Sequence, residues 1–186
     1  MSFAELRREI RARRRAIVGA QREALSAAAT VQALSCPALR RAERVAVFRS
    51  LPEEIDTEAL LTTLHNQGKR LYLPYVTGRG EALAWLPYRP GEALQPDRGR
   101  VLAPRWQPEA LLPAAELEVV LTPLVAWNRR GYRLGMGGGY YDRSFPPGRT
   151  AYLLGLAYGC QEAEFVPQSW DIGLDALATE QQLLTF

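Results

Sequence analysis

At 186 residues, 47% of them hydrophobic and 23% charged, the chain has the length of one domain and the composition of a folded one. Two cysteines, Cys36 and Cys160, and a single histidine, His65, exclude a disulfide framework and a multi-histidine metal site, and no apolar run is long enough to span a bilayer. The net charge of +3 is local: residues 1–22 hold seven Arg against two Glu, while the other 164 carry 16 basic and 18 acidic side chains.

The basic start, Leu6 to Ile17, is dense in helix formers and sets Phe3, Leu6, Ile10 and Ile17 roughly on one side, so it predicts an amphipathic helix. It lacks the apolar core of a secretory signal, and Glu5 and Glu9 interrupt the acid-poor pattern of a mitochondrial presequence; a reducing, cytoplasmic setting is expected. An alanine-rich helix follows from Gln21 to Leu34, and Cys36-Pro37 marks a break. Arg44 to Leu51 is strand-like. Asp56 or Thr57 can cap a helix that runs to Gln67, Gly68 suits its end, and Arg70 to Val76 is strand-like again.

Residues 77–113 are rich in Gly and Pro, with a strand-like piece at Ala82 to Tyr88 and a turn at Pro90-Gly91, which predicts a hairpin and an irregular excursion. Leu117 to Trp127 begins as a buried strand that Pro123 diverts, and Ala151 to Tyr158 is the last apolar strand. Strands alternating with helices imply an α/β fold: a layered, mostly parallel open sheet flanked by helices, three-layered and Rossmann-like, in one domain over residues 1–186.

Chemistry concentrates in Asn128 to Arg143. Gly135, Gly137, Gly138 and Gly139 clear side chains away and let successive N–H groups face one concavity, a geometry that binds anions. Arg129, Arg130, Arg133 and Arg143 bracket the loop with guanidinium groups suited to phosphate, and Asp142 can hold a magnesium ion. The loop is no P-loop, because Gly-Lys-Ser/Thr is missing and Lys69 is the one lysine, and no dinucleotide loop, because Tyr140 stands where the third glycine belongs.

The string Arg133-Leu-Gly-Met-Gly-Gly-Gly-Tyr-Tyr-Asp142, after a strand, resembles the hallmark of the 5-formyltetrahydrofolate cyclo-ligases. The likeness extends through Leu6-Arg7 on the basic helix, the acidic stretch Glu53 to Thr57, and Pro167, Asp171, Asp175 and Thr179-Glu180 near the end. It implies an ATP- and magnesium-dependent ring closure of 5-formyltetrahydrofolate to 5,10-methenyltetrahydrofolate. It also implies an ATP site formed by Arg7, Arg133, Leu134, Gly135, Met136, Gly137, Gly138, Gly139, Tyr140 and Tyr141. Folate contacts would fall on Arg49, Glu54, Met136 and Tyr140, and metal duty on Asp142 and Asp171, with Asp175 a weaker candidate. Trp106 falls near an aromatic that lines the folate pocket, and Phe3 replaces a lysine that the family often uses as an ATP contact.

The residue types suit that chemistry. A formyl oxygen is a poor leaving group until it carries a phosphoryl group, and phosphoryl transfer needs positioning and charge neutralisation more than an enzyme nucleophile. A carboxylate such as Glu54 can accept paired hydrogen bonds from a pterin, although its position before a helix also suits the helix dipole. Of Tyr140 and Tyr141, one is expected to stack on the pterin and one to plug the core. Arg133→Ala and Asp142→Ala are expected to damage ATP use with the fold intact. No nucleic-acid or membrane partner and a monomeric state are expected. The rival readings are a non-catalytic nucleotide- or RNA-binding module that uses the Arg-rich helix, and an α/β enzyme of another substrate class.

Overall fold

The computed structural model describes residues 1–186. The N-terminal third holds helices α1 (Phe3–Arg15), α2 (Gly19–Ser35) and α3 (Pro37–Arg41), strand β1 (Arg44–Ala46) and helix α4 (Glu58–Asn66). Strands β2 (Arg70–Val76), β3 (Leu83–Tyr88), β4 (Gln95–Pro96), β5 (Leu102–Ala103), β6 (Val119–Thr122), β7 (Ala126–Trp127) and β8 (Arg133–Leu134) follow. Helix α5 (Tyr140–Ser144) and strands β9 (Tyr152–Leu156), β10 (Ala176–Ala178) and β11 (Leu183–Thr185) complete the chain.

Seven strands form one sheet in the order β11-β10-β9-β6-β1-β2-β3. The inner pairs β10·β9, β9·β6, β6·β1 and β1·β2 are parallel, and the two edge strands, β11 and β3, run antiparallel to their neighbours. Burial on both faces explains the inner composition: every residue of β6 is buried, as parallel strands covered on both sides require.

One face is covered by α2, α3 and α4, where Ala29, Ala33, Leu39, Leu60, Leu61 and Leu64 meet Val45, Leu71, Leu73 and Val119. The small Ala29 and Ala33 let α2 approach the sheet closely. The other face is closed by α5 and long connections, with Trp85, Trp127, Phe145 and Leu174 over Ala46, Tyr72, Val120 and Leu153. No helix is long and apolar enough to cross a membrane.

Helix α1 begins at Phe3, the first residue of its apolar spacing, where Ser2 and Glu5 form a capping box worth about 1 kcal/mol. Its Leu6 and Ile10 pack on Val125, Ala126, Leu134 and Phe165, against the short β7·β8 ribbon instead of the main sheet.

Strand β1 is shorter than the strand-like run Arg44 to Leu51. Val47 still donates to the Tyr72 carbonyl at 2.8 Å, but from Phe48 the chain leaves the sheet. Pro123 ends β6, as expected, and the chain turns into β7. Two C-terminal strands and the helical turn α5 were not legible as periodic patterns, each being five residues or fewer. Within the Gly- and Pro-rich excursion, Asp97 organises the β4·β5 hairpin. Its Oδ1 accepts from the Gly99 and Val101 N–H groups, and its Oδ2 accepts from Val76 N–H, all at 2.8 Å.

Candidate active site

From β1 the chain order runs outward to β2 and β3 on one side, and through β6, β9 and β10 on the other. The β1·β6 boundary is therefore a topological switch point, where the two connections diverge and leave a crevice beyond the carboxyl ends of the strands. A cavity of about 320 Å³ opens there. Its walls are the segment after β1 (Phe48, Arg49, Leu51, Glu54), the segment after β6 (Pro123, Leu124), the β4·β5 hairpin and the glycine loop leading into α5. A larger hollow of about 700 Å³ lies at the opposite end of β2, near Arg70, Arg89 and Arg105, and contains none of the expected site residues.

The loop after β1 is tied by its own polar groups. Leu51 N–H donates to Glu54 Oε2 at 2.9 Å while Glu54 N–H donates to the Leu51 carbonyl, also at 2.9 Å. Asp56 accepts from Glu58 N–H at 3.0 Å and so caps α4, whereas Thr57 gives its hydroxyl to the Phe48 carbonyl at 3.0 Å. These bonds set Glu54 in the cavity wall with its side chain 12% exposed. Burial pushes its carboxyl above the ordinary range, against the opposing pull of the Leu51 N–H and Arg14.

Glu53 points the other way. Its carboxylate receives Arg11 Nε at 2.6 Å, Arg14 Nη2 at 2.8 Å and Arg15 Nε at 3.1 Å, and is held at about 2, chiefly by the bond from Arg11. Three arginines of the basic helix thus converge on one acid, although only Arg14 is buried. Arg13 pairs with Glu9 along the helix.

In the glycine loop, Gly137 (φ 99°) and Gly139 (φ 63°) occupy left-handed conformations that side chains disfavour. A Cβ on Gly139 would meet Arg143 Nη1 at 2.8 Å. Arg143 donates to the Gly138 carbonyl and lies over the Tyr140 ring, 5.2 Å from its centroid, bracing the loop. From the far side Arg7 donates Nε–H to the Gly135 carbonyl at 2.8 Å. Phe3 edges onto Phe165 (6.4 Å between ring centroids) and lies beneath the Arg7 guanidinium, so the residue that departs from the resemblance supports the arginine beside the loop.

Arg133 is buried. It donates Nη1 to the Ile172 carbonyl at 2.9 Å and Nη2 to Asp142 Oδ1 at 3.1 Å, and its guanidinium lies 5.9 Å from the Tyr141 ring centroid. Asp142 Oδ1 also accepts from Ile172 N–H at 3.2 Å, which leaves its second oxygen for another partner. Tyr141 packs edge-on to Trp85 at 6.2 Å, and burial pushes its phenol well above the usual value, so it stays neutral.

Of the residues singled out in the sequence, Arg49, Glu54, Arg133, Gly135, Met136, Gly138, Gly139, Tyr140, Tyr141 and Asp142 line this one cavity. Arg7 touches its loop from outside, and Gly137 faces Arg7. Leu134 is a core residue beneath α1. Asp171 immediately precedes Ile172, but its carboxylate accepts from Gln168 N–H at 2.8 Å and it does not line the cavity. Asp175 is taken up by Arg149 and Leu153 N–H, and Trp106 packs on Tyr75 (4.6 Å) outside the cavity.

Arg129 and Arg130 do not bracket the loop as expected. They sit in the turn between β7 and β8, where Arg129 pairs with Glu162 and Arg130 donates to the Phe165 carbonyl. Asp97, Val101 and Leu102 were missed. Their hairpin forms a cavity wall, and the one signal in the sequence was the turn-forming Pro96-Asp97-Arg-Gly99.

The arrangement can bind an anion at the loop amides and a flat, partly apolar molecule against Leu73, Pro74, Val76 and Met136, with Glu54 as acceptor. Residues 2–180 match the model of the 5-formyltetrahydrofolate cyclo-ligase family. A 5-formyltetrahydrofolate cyclo-ligase of Escherichia coli (strain K12) is 36% identical over 178 residues, covering 94% of this chain and 98% of its own. That of Haemophilus influenzae is 34% identical, with 91% and 93% covered.

Among solved structures, the 5,10-methenyltetrahydrofolate synthetase of Aquifex aeolicus superposes with a TM-score of 0.83 at 27% identity, over all of this chain and 93% of that one. The Mycoplasma pneumoniae synthetase shares the fold, with a TM-score of 0.75 at 22% identity and 97% and 99% covered. A match that takes in all but the two ends, on a fold with the same connections, leaves one assignment: the chain is an enzyme of the 5-formyltetrahydrofolate cyclo-ligase family.

Proposed function

We propose that the protein closes the ring of 5-formyltetrahydrofolate to give 5,10-methenyltetrahydrofolate, at the expense of ATP and with magnesium. The observation that carries this reading is the shared cavity: the Gly135 to Gly139 loop and the Glu54 carboxylate, 81 residues apart at their nearest, open onto one hollow. This reading takes the loop as the phosphate site and Glu54 as the pterin acceptor.

The γ-phosphoryl group passes to the formyl oxygen and ADP leaves. Folate N10 then attacks the activated formyl carbon, N10 loses its proton, and the carbon–oxygen bond breaks to release phosphate. The enzyme supplies position and charge: loop amides and Arg7 toward the phosphates, Glu54 and Arg49 toward the pterin, with Met136 and Tyr140 between. Leu134 and Gly137 serve through the shape of the loop. Low polarity at Leu73, Val76 and Leu83 keeps water from the activated formyl group.

Magnesium suits one or two carboxylates together with phosphate oxygens and retained water. Asp142 fits, with one oxygen still available at the cavity; Asp171 would have to give up its bond to Gln168 N–H to join it. Bound there, the ion would neutralise charge on the transferring phosphoryl group. The pairing of Arg11, Arg14 and Arg15 with Glu53 favours this reading over nucleic-acid binding through the basic helix.

The test mixes purified protein, 5-formyltetrahydrofolate, ATP and magnesium and follows the ultraviolet absorbance of the methenyl product alongside ADP. Equal amounts of product and ADP are expected, and none when ATP is omitted. Product formed without ATP would refute the mechanism.

A further inference from the structure

Arg14 is the one arginine with no exposed surface. It occupies the buried face of α1, one turn beyond Ile10, where an apolar side chain would be expected. Burying a guanidinium is costly unless its charge is matched. Docking of α1 does not explain it, because Glu53 already receives Arg11 and Arg15 from the same helix.

The rest of the Arg14 fork faces the site. Nη1 donates to the Leu124 carbonyl at 3.1 Å and stands 3.6 Å from Glu54 Oε1, while Nε has no partner. Leu124 and Glu54 both line the cavity. One side chain from the first helix therefore joins the segment after β6 to the segment after β1, across the switch point.

We propose that Arg14 is a positioning residue for the folate: it fixes the Glu54 carboxylate against the Leu124 carbonyl, so that the pterin meets a charged acceptor already aimed. The proposal rests on the reading of Glu54 given above. The Leu51 N–H holds the other carboxylate oxygen, Oε2, at 2.9 Å, and the remaining groups around Glu54 leave Oε1 to Arg14. Glu53 adds a like charge, Arg11 is engaged with Glu53, and Arg22 Nε–H and the Tyr158 hydroxyl both go to the Glu54 main-chain carbonyl, at 3.1 and 3.2 Å. Tyr141 is neutral. Burial favours the protonated acid at Glu54, and Arg14 opposes it.

Steady-state kinetics of Arg14→Met, Arg14→Lys and Glu54→Gln from pH 6 to 8.5 test the proposal. For Arg14→Met the KM for 5-formyltetrahydrofolate should rise about tenfold or more at pH 6 and less at pH 8.5, because burial without Arg14 favours the protonated acid at Glu54. The KM for ATP should stay within about twofold. Arg14→Lys keeps the charge and loses the fork, so a rise of about threefold at both pH values is expected.

A rise that ignores pH in Arg14→Met, or equal losses in kcat and in both KM values, would reduce Arg14 to a structural support and overturn the proposal. If Arg14→Met does not fold, Arg14→Lys decides: an unchanged folate KM overturns it. Glu54→Gln separates the two readings. An unchanged folate KM there removes Glu54 from the site, whereas a raised one beside an unaffected Arg14→Met removes only Arg14.

Discussion

Adjacent acids can carry opposite signs in the stability of a protein, and Glu53 and Glu54 do. Glu53 is held at about 2, below its unfolded value, so its ion pairs stabilise the fold fully above about pH 4.5, and that contribution is lost as the pH falls through about 2. With its side chain 14% exposed, the contribution is on the order of 2 kcal/mol after allowance for solvent screening. Glu53→Gln should therefore melt several degrees lower at pH 7 and approach wild type near pH 2, read by circular dichroism. Glu54 is raised instead, so its charge costs stability at neutral pH, and the cost vanishes once the acid is protonated in both states. Glu54→Gln should melt no lower than wild type at pH 7 while its folate KM rises about tenfold or more; a lower melting point together with an unchanged KM would refute both statements. Arg133 corrects the expectation of an intact fold in Arg133→Ala. That change strands the buried Ile172 carbonyl and Asp142, costing about 1–3 kcal/mol, so thermal melting must accompany any activity loss. The identity of Arg133 was legible from its motif, but its bonds were not, since Ile172 lies 39 positions away in the chain.

The glycines separate loop function from fold at the scale of elements. Gly135 has open space where a Cβ would go, whereas Gly155, central in β9, would place one 2.7 Å from Leu174 and 2.8 Å from Leu177. Gly135→Ala should keep its melting temperature within about 2 °C and lose at least about tenfold in kcat/KM, because the added methyl would intrude on the proposed phosphate site. Gly155→Ala should lose about 1–3 kcal/mol in denaturant unfolding and keep its KM values while folded. The reverse pattern would place the anion elsewhere. Helix α1 was legible from Leu6 and Ile10, but its basic face was not: arginines that read as a solvated stripe are gathered by Glu53, and no helical period reveals a partner 38 to 42 residues away. Strand β1 was read too long because Val47 and Phe48 are as apolar as Val45. What ends the strand is the loop at Ser50 and Thr57, whose side chains accept from each other's N–H groups and tie off the turn.

At the scale of the whole molecule the site has no single owner: loops after β1 and β6, the β4·β5 hairpin and the entry to α5 each supply a wall. Ligands that fill it should therefore stabilise the whole fold. ATP with magnesium at about 100 times its Kd should add about 2.7 kcal/mol, and chelation should abolish most of that gain along with turnover, as read by melting with and without a chelator. A gain untouched by chelation would remove the metal from the proposal. The α/β class, the chain positions of the principal strands and the glycine loop were all readable from the chain by itself, because apolar period, Pro and Gly punctuation and a run of small residues act over a few neighbours. Tertiary structure alone decided that Arg129 and Arg130 turn away, that Asp97 builds a wall and that Arg14 is buried. Those outcomes depend on which distant groups a folded sheet brings within 4 Å, where a charge is either matched or left costly, and local sequence carries no record of that distance.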